Sequence, residues 1–336
     1  MIQTFRCLVV LLVCAIGGNS MAQDAARENW ALAIHGGAGV IERSSLSPEQ
    51  EQAYRTAMAA ALDTGSAVLR RGGSSLDAVE ATIRVLEDDP LFNAGRGAVF
   101  TADGRNELDA SIMDGSTRKA GAVAGVTRTR NPISLARAVM EKSRHVMLAR
   151  EGADQFSVEQ GLEQVDPSYF RTDRRWQELL DWRRDNTASL DPTHSRGTVG
   201  AVALDMNGHL AAGTSTGGMT GKRWGRIGDS PVIGAGTYAA DGTCAVSATG
   251  SGEFYIRASA ARQVCDRVAW QRASAQEAAD ATIADVASIG GDGGLMVMDG
   301  AGRIAFAMNT SGMYRGWVTS SMPAGTAIYS TDKGPN

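Results

Sequence analysis

The order of elements predicts an α+β fold with two mainly antiparallel sheets covered by helices. Three observations point to it. Short runs rich in Ala, Val and Gly read as strands packed closely on both faces. Asn-Gly and Asp-Gly turns join neighbouring runs in the manner of hairpins. The elements come in blocks of strands and helices, with no regular strand–helix–strand alternation, so a doubly wound parallel sheet fits less well.

Each element has its own signal. Trp30 to Ile34 reads as a short buried strand running into the glycine-rich HGGAG. A helix starts at Ser47-Pro48-Glu49-Gln50, with Ser47 as N-cap, Pro48 in the first turn and Gln50 able to close a capping box. It stops at Gly72-Gly73. A second helix runs from about Leu76 to Asp88 and ends before Pro90. AVFT (98–101), ELDASIMD (107–114) and AGAVAGVT (120–127) read as strands. Asn131-Pro132 reads as the cap of a helix through Glu141. From about 152 to 197 the chain is charged and lacks apolar period, apart from one short helix, and reads as an exposed linker. TVGAVALD and HLAAGTST flank Asn207-Gly208, and VIGAGTYAA and TCAVSAT flank Asp241-Gly242, as two hairpins. Helices at about 253–272 and 274–288 follow. LMVMD and RIAFAMN close the series around a glycine turn.

The chain has 336 residues, 43% hydrophobic and 21% charged, enough for a large core. A net charge of -4 with mixed signs gives nucleic acid no basic surface to bind. The N-terminus reads as a cleaved secretory signal, residues 1–22: Arg6, an apolar run from Cys7 to Ile16, then small residues at Ser20 and Ala22. That run is too short to span a bilayer, so the mature protein is expected to be secreted or periplasmic without membrane attachment. Signal removal takes Cys7 and Cys14 and leaves Cys244 and Cys265. A disulfide between them is open in an oxidising compartment, and two buried free thiols is the reading favoured from sequence.

Three chemistries compete. His35-Gly36-Gly37-Ala38-Gly39 looks like a lipase oxyanion loop, and Gly213-Thr214-Ser215-Thr216-Gly217 matches the G-x-S-x-G elbow. An α/β-hydrolase needs a histidine after that serine. The four here, His35, His145, His194 and His209, all precede it. Phosphate-binding loops fail because neither G-x-x-x-x-G-K-[ST] nor a strand-to-helix G-x-G-x-x-G occurs. Scattered histidines and the lack of H-E-x-x-H argue against metal catalysis. The third candidate is Thr198, which follows Gly197 at the start of a strand. A cut between them would place a nucleophilic hydroxyl and an α-amine, a base with an ordinary pKa near 8, on one residue. Taken alone, Thr198 is more simply a β-branched strand opener.

The surroundings reverse that preference. GTVGAVALD, TSTGGMTGKRWGRIGDSP and SATGSGE strongly resemble the plant-type asparaginase and isoaspartyl peptidase family of N-terminal-nucleophile hydrolases. So do AIHGGAG, PLFNAGRGAVF and ELDASIMDG upstream, and GGLMVMD and NTSGMYRGW downstream, which extends the resemblance over nearly all of residues 30–317. The resemblance implies an αββα four-layer sandwich, one composite domain cleaved into an α chain (23–197) and a β chain (198–336). It implies Thr198 as nucleophile, Thr216 beside it and Asn93 supporting it from the α chain. Arg226 would take the substrate α-carboxylate and Asp229 its α-ammonium, with Thr249 and Gly250 as the oxyanion pair. The expected substrates are L-asparagine and β-aspartyl dipeptides, and the expected assembly is a dimer of cleaved heterodimers. No cofactor is implied, although the PLFNAGRG loop is compatible with a structural sodium ion held by backbone carbonyls. Two alternatives are a glycosylasparaginase-like amidase, which Gly197 in place of an aspartate disfavours, and a catalytically dead secreted binding protein of the same fold.

Overall fold

The computed structural model describes residues 29–185 and 197–335. The expected signal peptide, with Cys7 and Cys14, lies outside the described residues, as do His194 and Ser195 of the linker.

The strands are β1 (Ala31–Gly39), β2 (Leu108–Asp114), β3 (Ala120–Val126), β4 (Met147–Ala149), β5 (Val199–Leu204), β6 (Leu210–Thr216), β7 (Thr237–Ala240), β8 (Cys244–Gly250), β9 (Gly293–Asp299), β10 (Ile304–Met308), β11 (Gly312–Thr319) and β12 (Gly325–Tyr329). Eight form one sheet in the order β12-β11-β1-β5-β6-β2-β3-β4, and four form a second in the order β10-β9-β8-β7. Every strand pair is antiparallel except β3 with β4. The helices are α1 (Pro48–Arg70), α2 (Ser75–Asp88), α3 (Pro132–Lys142), α4 (Arg150–Glu159), α5 (Asp173–Asp185), α6 (Gly252–Ala258), α7 (Ala260–Gln271) and α8 (Ala275–Ser288).

Strand alternation divides the core in two. Leu32 and Ile34 of β1, with Val199, Ala201 and Ala203 of β5, pack with Met58, Leu62, Ile83 and Leu86 of the first two helices. The opposite faces, Ala31 and Ala33 with Val202 and Leu204, join Val246, Val297, Val264 and Ile283 in the second core. The layers therefore run α1–α3, large sheet, small sheet, α7–α8, as the αββα expectation requires.

Local signals explain the helix ends. Ser47 accepts from the Gln50 amide at 3.2 Å while Gln50 accepts from the Ser47 amide at 2.9 Å, closing the expected capping box. Ser274 and Glu277 repeat it at α8. Asn131 does not cap α3 with its side chain, which instead reaches Asp88 Oδ1 at 3.3 Å.

Four further expectations are corrected. AVFT is not a strand: the Val99 amide is taken by Asn93 Oδ1 at 2.9 Å, and the Ala98 and Val99 carbonyls by Asn106 Nδ2 at 2.9 and 3.2 Å. Side chains stand in for a neighbouring strand at Ala98 and Val99, and only an isolated bridge from Thr101 to Lys222 follows. The expected linker is built structure over most of its length, with α4, a 3₁₀ turn (Pro167–Phe170) and α5 burying Phe170, Arg175 and Leu179. The helix expected over 253–272 breaks at Ser259, whose φ of 49° cannot continue a right-handed helix. Finally, Cys244 and Cys265 are not free thiols; they form a disulfide with Cα atoms 5.4 Å apart, joining β8 to α7.

Candidate active site

Antiparallel pairing of β5 with β6 sets Val199 against Ser215, which brings Thr198 beside Thr216 on the face between the sheets. Thr198 is 7% and Thr216 3% exposed, and their hydroxyls are 3.2 Å apart. Ser215 points the other way and donates to Glu87 Oε1 at 2.6 Å, so the G-x-S-x-G serine faces the helical layer.

Three side chains converge on the Gly197 carbonyl. Thr198 Oγ1 lies 2.7 Å from it, Thr216 Oγ1 3.0 Å and Asn93 Nδ2 2.9 Å. The donor inventory fixes their orientations. Asn93 accepts from Val99 N with its oxygen, and its two amide protons go to the carbonyls of Gly197 and Gly218. The Thr216 hydroxyl accepts from Gly218 N at 2.9 Å and from Thr198, which leaves its own proton for Gly197. Gly37 presses on the same bond from β1. With φ at +112°, a Cβ there would sit 3.0 Å from Gly197 Cα and 3.3 Å from Thr198 N, so backbone reaches where no side chain fits.

Thr198, Thr216, Arg226, Asp229 and Gly250 line one cavity of about 300 Å³, with Gly197 at its edge. Arg226 is held bidentately by Glu253, Nε to Oε1 at 2.8 Å and Nη2 to Oε2 at 2.9 Å. Asp229 is 5% exposed and its Oδ2 has no hydrogen-bond partner among the described residues. Burial pushes its carboxyl up to about 7, against the pull of Arg226. An unsatisfied buried carboxylate beside a half-buried guanidinium can receive an ammonium and a carboxylate on one small molecule. Thr249 does not line this cavity; its Oγ1 accepts from the Ala38 amide at 3.3 Å, with the hydroxyl proton still available to a developing oxyanion.

Two features escaped sequence reasoning. Glu253 lies inside the quoted SATGSGE, yet nothing there pairs it with Arg226. The other is a buried row of polar groups between the sheets. His35 Nδ1 lies 3.0 Å from the Thr198 carbonyl and Nε2 2.8 Å from Ser247 Oγ; Thr214, Thr237 and Ser111 continue the row at 2.7, 2.5 and 2.8 Å. A carbonyl can only accept, so the Thr198 oxygen forces the proton onto Nδ1. Nε2 then accepts from Ser247, Ser247 from Thr214, and Thr214 from Thr237. Burial pushes the His35 imidazole down to about 3, only partly opposed by the Thr198 carbonyl, so the ring stays neutral. His145 and His209 lie outside the cavity.

Among the described residues, no three or more His, Cys, Asp or Glu side chains are grouped to hold a metal ion. In the PLFNAGRG loop the Pro90 and Phe92 carbonyls converge on Gly97, where a Cβ would meet them at 2.6 and 2.7 Å. The backbone itself fills that space, which is why the position is glycine. Among the described residues, no helix is long and apolar enough to cross a membrane.

A family model described as asparaginase matches residues 28–328. The chain is 48% identical to the isoaspartyl peptidase of Escherichia coli (strain K12), over 89% of this chain and 95% of that protein. It is 46% identical to the isoaspartyl peptidase of Salmonella typhimurium, over 89% and 98% of the two chains. Against a probable isoaspartyl peptidase/L-asparaginase 2 of Arabidopsis thaliana the identity is 42%, over 86% and 96%. With this coverage, and with two helix-flanked, mainly antiparallel sheets, the chain belongs to the asparaginase family of N-terminal-nucleophile hydrolases.

Proposed function

We propose that the protein is an isoaspartyl peptidase and L-asparaginase that cuts its own chain between Gly197 and Thr198 and then works through the Thr198 hydroxyl. The observation that carries this reading is the convergence of Thr198, Thr216 and Asn93 on the Gly197 carbonyl. Attack by Thr198 Oγ1 on that carbonyl carbon would leave negative charge on an oxygen already faced by two further donors. The C–N bond then breaks, giving an ester on Oγ1 and a free Thr198 amine. Water hydrolyses the ester and leaves a Gly197 carboxylate.

In the mature enzyme the Thr198 α-amine serves as base for its own hydroxyl. Arg226 and Asp229 hold the substrate α-carboxylate and α-ammonium. Thr249 and the Gly250 amide face the oxyanion as Oγ1 attacks the β-carbonyl. The leaving amine takes a proton and departs, and water releases aspartate from the ester. The N-terminal apolar run and the Cys244–Cys265 disulfide support a secreted or periplasmic location. We take the working form to be a dimer of cleaved heterodimers.

Denaturing electrophoresis with N-terminal sequencing tests the reading. Purified protein is expected as two chains, the smaller beginning TVGAV, with hydrolysis of L-asparagine and β-aspartyl dipeptides. Thr198→Ala is expected as one inert chain. A wild-type protein that remains uncut, or a cut Thr198→Ala, would refute it.

A further inference from the structure

Resting on that reading, we propose that a second cavity is the subsite for the leaving residue of a β-aspartyl dipeptide, selecting a bulky apolar side chain and reading its free carboxylate through Arg174. The cavity encloses about 640 Å³, roughly twice the head-group cavity, and the two share Gly197, Ser251 and Phe254. Whatever is bonded to the reacting carbonyl, opposite the aspartyl head, therefore lies next to it. Ammonia released from asparagine would leave such a space unused; an amino-acid residue would not.

The walls state the chemistry. Val40, Leu46 and Leu91 line the cavity beside Tyr54 and Tyr314, whose rings stack 4.1 Å apart at 19°. Val40 is 82% exposed, an apolar side chain left facing water at the cavity mouth. Burying an apolar leaving side chain against this wall removes both surfaces from water. Arg174 stands on the same wall. Its Nη1 donates to the Tyr54 hydroxyl at 3.1 Å and its Nη2 to the Pro90 and Leu91 carbonyls at 3.1 and 2.8 Å. Among the described residues it has no carboxylate partner. A cation held in place by neutral acceptors is disposed to receive an anion, and the leaving residue of a dipeptide carries one. In the hydrolysis the amide C–N bond breaks as Thr198 Oγ1 bonds to the β-carbonyl carbon. The amine takes a proton, and the free amino acid leaves through this cavity.

The experiment compares kcat/KM of the mature enzyme on L-asparagine and on β-aspartyl-glycine, -leucine, -phenylalanine and -leucinamide. Leucine and phenylalanine are expected to exceed glycine by about tenfold or more, and the amide is expected to lose most of that gain. Val40→Asp, a surface change, is expected to shrink the leucine-to-glycine ratio; Arg174→Gln is expected to abolish the difference between leucine and leucinamide. Turnover that is flat across glycine, leucine and phenylalanine, or indifferent to the amide in the parent enzyme, would overturn the subsite while leaving the proposed activity standing. No turnover of asparagine or any dipeptide by cleaved enzyme would instead sink the activity itself.

Discussion

Replacing Asp229 with asparagine should stabilise the protein while disabling it, and only above a particular pH. The carboxyl is buried, with one oxygen lacking a partner, and its pKa is pushed up to about 7 from an ordinary 3.8. Below about 3.8 both folded and unfolded chains carry it protonated, so it adds no pH dependence. Between about 3.8 and 7 the folded chain keeps the proton and the unfolded chain has lost it, so stability falls as pH rises. Above about 7 the folded state bears the whole cost of a buried charge. At about 1.4 kcal/mol for each tenfold change in the ionisation constant, that cost is about 4 kcal/mol. Asparagine keeps the shape without the charge. Urea unfolding in the Thr198→Ala background, which keeps one chain, should find Asp229→Asn up to about 4 kcal/mol more stable than Asp229 at pH 8 and little different near pH 4. In the cleavable protein the same change should abolish turnover, and kcat/KM of the parent should rise with pH until about 7 as Asp229 ionises. Equal stability differences at both pH values, or a variant less stable at pH 8, would show that the carboxyl is not held unsatisfied.

Three further outcomes follow from the geometry. Thr249→Val should mature normally yet lose about 10²–10³ in kcat, whereas Asn93→Ala, which removes a donor 2.9 Å from the Gly197 carbonyl, should slow the cut itself; a gel beside steady-state kinetics separates them. The Cys244–Cys265 disulfide closes a loop of sequence separation 21, so Cys265→Ala, or reduction of the native protein, should cost about 3 kcal/mol in chemical denaturation. A stability indifferent to reductant would remove the disulfide from the account.

Legibility in the sequence followed the range of the interaction responsible. The β5–β6 hairpin was readable because Asn207-Gly208 and flanking apolar runs are local. The pairing of β1 with β11 was not, since its partners lie almost 300 residues apart and the register shifts between His35 and Gly37. The charged 152–185 stretch reads as linker because α4 and α5 expose most of their surface; the few buried residues, Ala153, Ser157, Phe170, Arg175 and Leu179, leave too faint an apolar period to detect. The site divides in the same way. Resemblance named Thr198, Thr216, Arg226, Asp229 and Gly250, and the fold gathers them into one cavity. His35 stood in a quoted motif without a role, because its meaning depends on Ser247, 212 positions away.

That polar row ties the Thr198 carbonyl, next to the reactive bond, to the assembly of the whole molecule. His35 and Thr214 stand on the large sheet and Ser247 on the small one, so no part of the nascent chain can complete the sequence of donors and acceptors until the two sheets have met. The Thr198 carbonyl, one peptide downstream of the Gly197–Thr198 bond, is thus held by the completed row only once the sheets meet. If the chain severs itself at the adjoining Gly197–Thr198 peptide, the scission acts as a receipt for finished folding. Chains that stall with the sheets apart would keep Thr198 internal and its amine unavailable, and would carry no hydrolytic activity toward the peptides around them.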